Sequence, residues 1–243
     1  MNPKQNNTYG KLYLIPVHLG ESNPDKVFPP INKTIIDEID DFIVENEKSA
    51  RRFIKQILPE KSQQSLRLSG LNKFTDTSEL PGFLDAAKEG KNIGLLSEAG
   101  CPGVADPGAE IVKLAHQYNI QVVPLIGPSS ILLAMMSSGM NGQSFTFHGY
   151  LPIDKKDRKH EIKQLERISL EKNQAQIFIE TPYRNMKFLE DLIQNLHPTT
   201  RICVACDLSL DSEFIKTATA SEWKNIKADL HKRPAIFIIQ KDS

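Results

Sequence analysis

Cysteine is scarce in this chain, three residues in 243, and tryptophan occurs once. Cys101, Cys203 and Cys206 pair in no obvious scheme, which suits a reducing cytoplasm better than a disulfide framework. Net charge is missing too. Thirty Lys and Arg balance thirty Asp and Glu, so any surface for a polyanion has to be local. No apolar run approaches the ~20 residues that span a bilayer, and the polar opening MNPKQNNTYGK lacks a signal-peptide core. These absences predict a cytoplasmic protein with no membrane contact. Internal repeats and low-complexity tracts are absent as well. What remains is 40% apolar and 25% charged sequence, enough for a large core in one or two domains.

Apolar strand signals alternate with helix signals along most of the chain. KLYLIP from Lys11, DFIV from Asp41, SLRLS from Ser65, NIGLLS from Asn92 and IQVVPLI from Ile120 read as strands. Between them NKTIIDEI, with Asn32 as cap, EKSARRFIKQIL, SELPGFLDAAKEG, with Ser78 as cap, and IVKLAHQYN read as helices. GPSSILLAMMSSGM is a further helix. The pattern pauses at GMNGQS, and from there come FTFHGYL, a charged helix from Lys155 to Lys172, the strand AQIFIE, and a helix from Asn185. RICVACDL, FIKTATA, a helix from Ser221 and AIFIIQ complete the chain. The prediction is an α/β protein of two domains, residues 1–140 and 141–243, the first sheet largely parallel and the second mixed.

Loops that follow parallel strands are where ligands bind in such sheets. SEAGCPGVADPG, from Ser97 to Gly108, is longer than a connection needs to be. Gly100 and Gly103 permit positive φ and a close backbone approach, and Pro102 and Pro107 stiffen the loop. Asp106 also suits plain helix capping. GPSS, Gly127 to Ser130, offers backbone N–H groups and two hydroxyls to an anionic or hydrogen-bonding ligand, or simply caps its helix. PVHLGES after the first strand lacks both dinucleotide and P-loop spacing, which leaves His18 a loop residue. In CVAC, Cys203 and Cys206 lie three apart in a strand and point to opposite faces, so no metal site is expected. Glu180 and Arg184 in IETPYR either pair structurally or line a cleft. KKDRKHEIK and KSARR are basic clusters, solvated faces by default, yet compatible with phosphate contacts.

Taken in order, SEAGCPGVADPG, GPSS, FHGYLPIDKKDRKHEI and FIETPYR resemble successive motifs of the tetrapyrrole methylase family of S-adenosylmethionine-dependent methyltransferases. The resemblance runs from about Gly10 to Gln240 and is strongest to the branch that methylates small-subunit ribosomal RNA. It implies two α/β domains with S-adenosylmethionine bound in the cleft between them, in a homodimer. The donor-binding set it implies is Pro16, Ala99, Gly100, Cys101, Val104, Ser129, Ser130, Glu180, Leu208, Pro234 and Ala235. Glu45 and Glu180 are the implied candidates for the catalytic proton acceptor, and small-subunit ribosomal RNA is the implied partner.

The chain also departs from that branch. Glu21 stands where an Asn follows the first-loop glycine, and the A-E-D-T-R motif is Val44-Glu45-Asn46-Glu47-Lys48. SGLNKFTDT replaces a charged, histidine-containing stretch, and KRP replaces K-G-E before the last strand. A methyltransferase acting on a tetrapyrrole or other small molecule, and a non-catalytic donor-binding relative, therefore stay open beside the RNA enzyme.

Overall fold

The computed structural model describes residues 9–21, 26–72 and 74–242. Most of the polar opening, Ser22 to Asp25 of the first loop, and Lys73 lie outside them. Two compact units divide the chain, Met1–Pro128 and Ser129–Ser243.

In the first unit the elements run β1 (Lys11–Ile15), α1 (Pro30–Asp37), β2 (Asp41–Val44), α2 (Glu47–Ile57) and β3 (Arg67–Gly70). A 3-10 turn (Leu80–Leu84) then leads into α3 (Asp85–Lys88), β4 (Ile93–Leu96), α4 (Gly108–Gln117) and β5 (Gln121–Pro124). The sheet order is β3-β2-β4-β1-β5, with every pairing parallel. Strand alternation feeds two cores. Ile15, Phe42, Val44 and Leu96 pack with Ile36 of α1 and Phe53, Ile54 and Ile57 of α2. Leu12, Ile43, Ile93 and Leu95 pack with Ile111 and Ala115 of α4 on the other face.

Two helix starts differ from the sequence expectation. Helix α1 begins at Pro30, because a proline at the first helical position loses no hydrogen bond there. Asn32 thus sits inside the helix, 1% exposed, where its Nδ2 donates to the Ile126 carbonyl at 2.8 Å instead of capping. Ser78 is no cap either: the Asp76 carboxylate accepts from its N–H at 2.8 Å, and the segment containing Pro81 and Gly82 forms the 3-10 turn.

The second unit holds α5 (Ser130–Ser138), β6 (Phe145–Phe147), α6 (Lys155–Lys172), β7 (Ala175–Ile179) and α7 (Asn185–Asn195). β8 (Arg201–Cys206), β9 (Phe214–Thr219), α8 (Ala220–Trp223) and β10 (Ala235–Gln240) follow. Its sheet, β6-β7-β10-β8-β9, is mixed: β6 and β7 are parallel, the other pairs antiparallel. Ile202, Val204 and Cys206 enter a core with Phe188, Trp223 and Phe237. Cys203 and Ala205 alternate onto the opposite face, so the two thiols of CVAC diverge. Helix α5 lies against β8, β9 and β10, and the Ser138 carbonyl accepts from Thr217 Oγ1 at 2.8 Å. The units therefore part before α5, whereas the sequence pause that suggested residue 140 comes after it. No helix among the described residues is long and apolar enough to cross a membrane.

Candidate functional site

Adjacent strands β1 and β4 send their chains in opposite directions. From β1 the chain crosses through α1 on one face to β2, and from β4 it crosses through α4 on the other face to β5. Such a reversal opens a crevice at the carboxyl ends of the two strands, the usual ligand position in open α/β sheets.

The Ser97–Gly108 loop is fastened at this crevice. Gly100 and Val17, just past β1, exchange reciprocal backbone hydrogen bonds, both 2.9 Å. Ser97 Oγ donates to the Gly100 carbonyl at 2.9 Å. Gly100 has φ of 72°, a left-handed conformation that costs an L side chain about 1–2 kcal/mol. Further on, Asp106 Oδ1 accepts from the N–H groups of Gly103 at 2.6 Å and Gly108 at 2.8 Å. The capping role expected for Asp106 is thus present and extends to closing the loop. Cys101 Sγ donates to the Pro128 carbonyl at 3.5 Å. A Cβ on Gly127 would sit 2.3 Å from Pro16 Cβ, so the segment after β5 lies directly on the end of β1. Pro16 is buried, while Ala99 is exposed and Val104 is 50% exposed. Pro16, Ala99, Gly100, Cys101 and Val104 are therefore gathered by the ends of β1, β4 and β5.

Acidic groups line the same edge. Glu45, at the end of β2, accepts from the Glu98 N–H through Oε1 at 3.3 Å. Burial pushes the Glu45 carboxyl above its ordinary value. The Glu98 N–H opposes this, and the neighbouring Asp106 and Glu98 carboxylates add to the rise. Asp106 is raised as well, first by burial and against its two backbone donors. The basic cluster KSARR does structural work here: Arg51 Nη1 donates to the Gln63 carbonyl at 2.7 Å, and Arg52 meets Glu21 at 3.2 Å.

In the second unit Ser129 caps α5, its Oγ accepting from Leu132 N–H at 3.5 Å, and Ser130 is the first helical residue. Glu180 follows β7, whose Ile179 pairs with Ile236, while Ala235 pairs with Cys206. Glu180, Leu208, Pro234 and Ala235 consequently share one end of the second sheet. Glu180 is 6% exposed, and its Oε1 accepts from Thr181 N–H at 2.6 Å and from Arg184 Nε and Nη2 at 3.0 and 2.7 Å. The structural pair with Arg184 is formed.

Residues the sequence did not flag hold that end together. Asp207 and Ser209, flanking Leu208, have φ of 51° and 69°. Asp207 N–H donates to the Pro234 carbonyl at 2.9 Å, and Arg233 Nε donates to Asp207 Oδ2 at 2.7 Å. Arg233 belongs to the KRP that replaces K-G-E, and its partner lies 26 residues away, beyond any local pattern. Ser209 Oγ is buried with no partner among the described residues. The N–H groups of Gly100, Gly103 and Gly108 are taken within the first unit, and the partnerless Ser209 hydroxyl beside Leu208 is a buried polar atom that a ligand such as S-adenosylmethionine would satisfy.

A parallel α/β unit with a fastened loop at its switch point, followed by a mixed α/β unit, places the chain in the two-sheet α/β class. The sequence pattern of the Tetrapyrrole (Corrin/Porphyrin) Methylases matches residues 35–224, and the chain belongs to that family of methyltransferases. It is 31% identical over 219 residues to the ribosomal RNA small subunit methyltransferase I of Bacillus subtilis (strain 168), covering 89% of this chain and 70% of that one. With the protein of the same name from Buchnera aphidicola subsp. Acyrthosiphon pisum (strain APS) it shares 27% over 233 residues, 95% of this chain and 78% of that one. Among solved structures the methyltransferase CobJ superposes with a TM-score of 0.63 at 16% identity, over 96% of this chain and 94% of that one.

Proposed function

We propose that this protein transfers a methyl group from S-adenosylmethionine to a ribose 2′-hydroxyl of small-subunit ribosomal RNA, as a cytoplasmic homodimer. The observation that carries the donor half is the fastened Ser97–Gly108 loop at the β1/β4 switch point. The similarity to ribosomal RNA small subunit methyltransferases over most of the chain supports the acceptor half.

Pro16, Ala99, Gly100, Cys101, Val104, Ser129 and Ser130 would hold the donor, with Glu180, Leu208, Pro234 and Ala235 completing the set. The donor supplies an activated methyl on a sulfonium, whose departure leaves a neutral thioether. The protein's share is then to hold the acceptor oxygen in line and close, an effect that reaches about 7–11 kcal/mol in favourable cases. A ribose hydroxyl also has to lose a proton, and an acceptor within reach contributes roughly 10²–10⁴-fold. Glu45 fits that role best. Its partly buried carboxyl has a raised pKa, as a general base near neutrality needs, whereas the Oε1 of Glu180 is already taken by three donors.

Calorimetry with adenosylhomocysteine tests the donor half, and absence of heat at saturating ligand would remove it. Ribose-methylation mapping of small-subunit RNA from a deletion strain tests the acceptor: one site should lose its methyl group. An unchanged map would sink the RNA assignment and turn attention to small-molecule acceptors.

A further inference from the structure

Although the whole chain is neutral, the stretch from Lys155 to Lys163 carries five cationic side chains against two carboxylates. Lys155, Arg158 and Lys159 fall on one face of α6. Together with Asp191, Gln194 and Asn195 at the same spacing on α7, they line a cavity of about 240 Å³. Arg158 is 8% exposed and fixed in place. Its Nη1 donates to the carbonyls of Pro152 and Ile153 at 3.3 and 3.1 Å, and its Nη2 lies 2.6 Å from Asp191 Oδ2. Its Nε is buried and has no acceptor among the described residues. An unmade hydrogen bond at a buried cationic donor is costly.

Asp191, 2% exposed, is also met by Lys187 at 3.4 Å, so the one carboxylate of the groove is neutralised from within. The positive excess therefore resides on Lys155 and Lys159, which are exposed and have no hydrogen-bond or ion-pair partner among the described residues. Other surface lysines of this chain, such as Lys88, Lys113 and Lys187, lie beside a carboxylate.

We propose that the groove between α6 and α7 seats a phosphodiester of the RNA backbone, a reading that rests on the RNA assignment above for the identity of the polymer. Lys155 and Lys159 neutralise the phosphate as mobile point charges, while Arg158 contributes a fixed donor from below. No aromatic side chain lines the groove, so it does not stack bases. Its contribution is to affinity and register, not to sequence choice.

The test compares the double variant Lys155→Gln/Lys159→Gln with a control, Lys172→Gln/Lys224→Gln, which removes equal charge from outside the groove. Anisotropy of a fluorescent oligoribonucleotide is titrated at several salt concentrations, with folding checked by circular dichroism. The groove variant should bind about tenfold more weakly at low salt. Its slope of log K against log salt should flatten by about 0.7, the value for one lost single-strand phosphate contact. Adenosylhomocysteine affinity should stay unchanged, and the control pair should move the slope far less. Equal affinity and slope in the groove variant, or an equal loss in the control, would overturn the proposal. So would saturable binding of inorganic phosphate lost in the groove variant while RNA affinity holds, since that assigns a free anion. If the wild type binds no adenosylhomocysteine, only the donor reading fails, because the salt slopes are measured without it.

Discussion

Gly100 is held at the candidate site by its backbone conformation and its hydrogen bonds. Its peptide bonds to Val17 in both directions, its carbonyl also takes Ser97 Oγ, and its φ is 72°. A Cβ there would find only ordinary contacts, Leu19 Cδ2 at 3.4 Å and the Pro128 carbonyl at 3.6 Å, so the cost of substitution is conformational. Gly100→Val should lower stability by about 1–3 kcal/mol and leave a folded protein whose adenosylhomocysteine affinity is lost. Calorimetric affinity equal to wild type would contradict the proposed donor loop. Glu45 makes a second, pH-dependent prediction. Because its folded pKa is raised, its contribution to stability is full below the ordinary carboxylate range and is lost as pH rises through the raised value. Glu45→Gln should therefore melt at or above the wild-type temperature near neutrality, with the gap closing on acidification. If Glu45 accepts the ribose proton, the same variant should lose roughly 10²–10⁴-fold in methyl transfer, and the wild-type rate should climb with pH through that raised value.

At the scale of elements, two helices show how local chemistry and long-range pairing share the load. Helix α2 follows the stretch and the buried stripe of Phe53, Ile54 and Ile57 read from the sequence, and Asn46, which that reading did not name, caps it by accepting from the N–H groups of Lys48 and Ser49 at 2.9 and 3.3 Å. Asn46→Ala should cost about 0.5–2 kcal/mol, a fall of a few degrees in melting temperature. Helices α6 and α7 are joined differently, by the buried Arg158–Asp191 pair. Asp191→Asn leaves a buried guanidinium without its counter-charge and should cost about 3–5 kcal/mol in thermal or denaturant unfolding. Replacing both partners by apolar residues should recover much of that loss. A single variant no less stable than wild type would mean the pair is solvated in solution.

For the whole molecule, a ligand that binds only the folded state raises stability by mass action. Adenosylhomocysteine at a hundredfold its dissociation constant should add about 2.7 kcal/mol, worth roughly 5–10 °C in melting temperature for a chain of this size. No shift at any concentration would argue against donor binding independently of the calorimetry. Sedimentation velocity tests the proposed homodimer, which should run at twice the chain mass throughout the micromolar range.

Sequence alone determined the alternation of strands and helices, the parallel first sheet, the mixed second one, and the loop after β4 as the place to look. Those features follow from periodicity, turn residues and order along the chain, which are local properties. The family motifs marked which residues to compare. Only the tertiary structure decided that Val17 would fasten Gly100, that Asn32 would be buried against the Ile126 carbonyl, and that Arg233 would anchor Asp207 beside Leu208. It also decided that α5 packs with the second sheet. In each case the partner is supplied by strand order or helix packing across tens of residues, and no local spacing encodes which distant polar group will arrive.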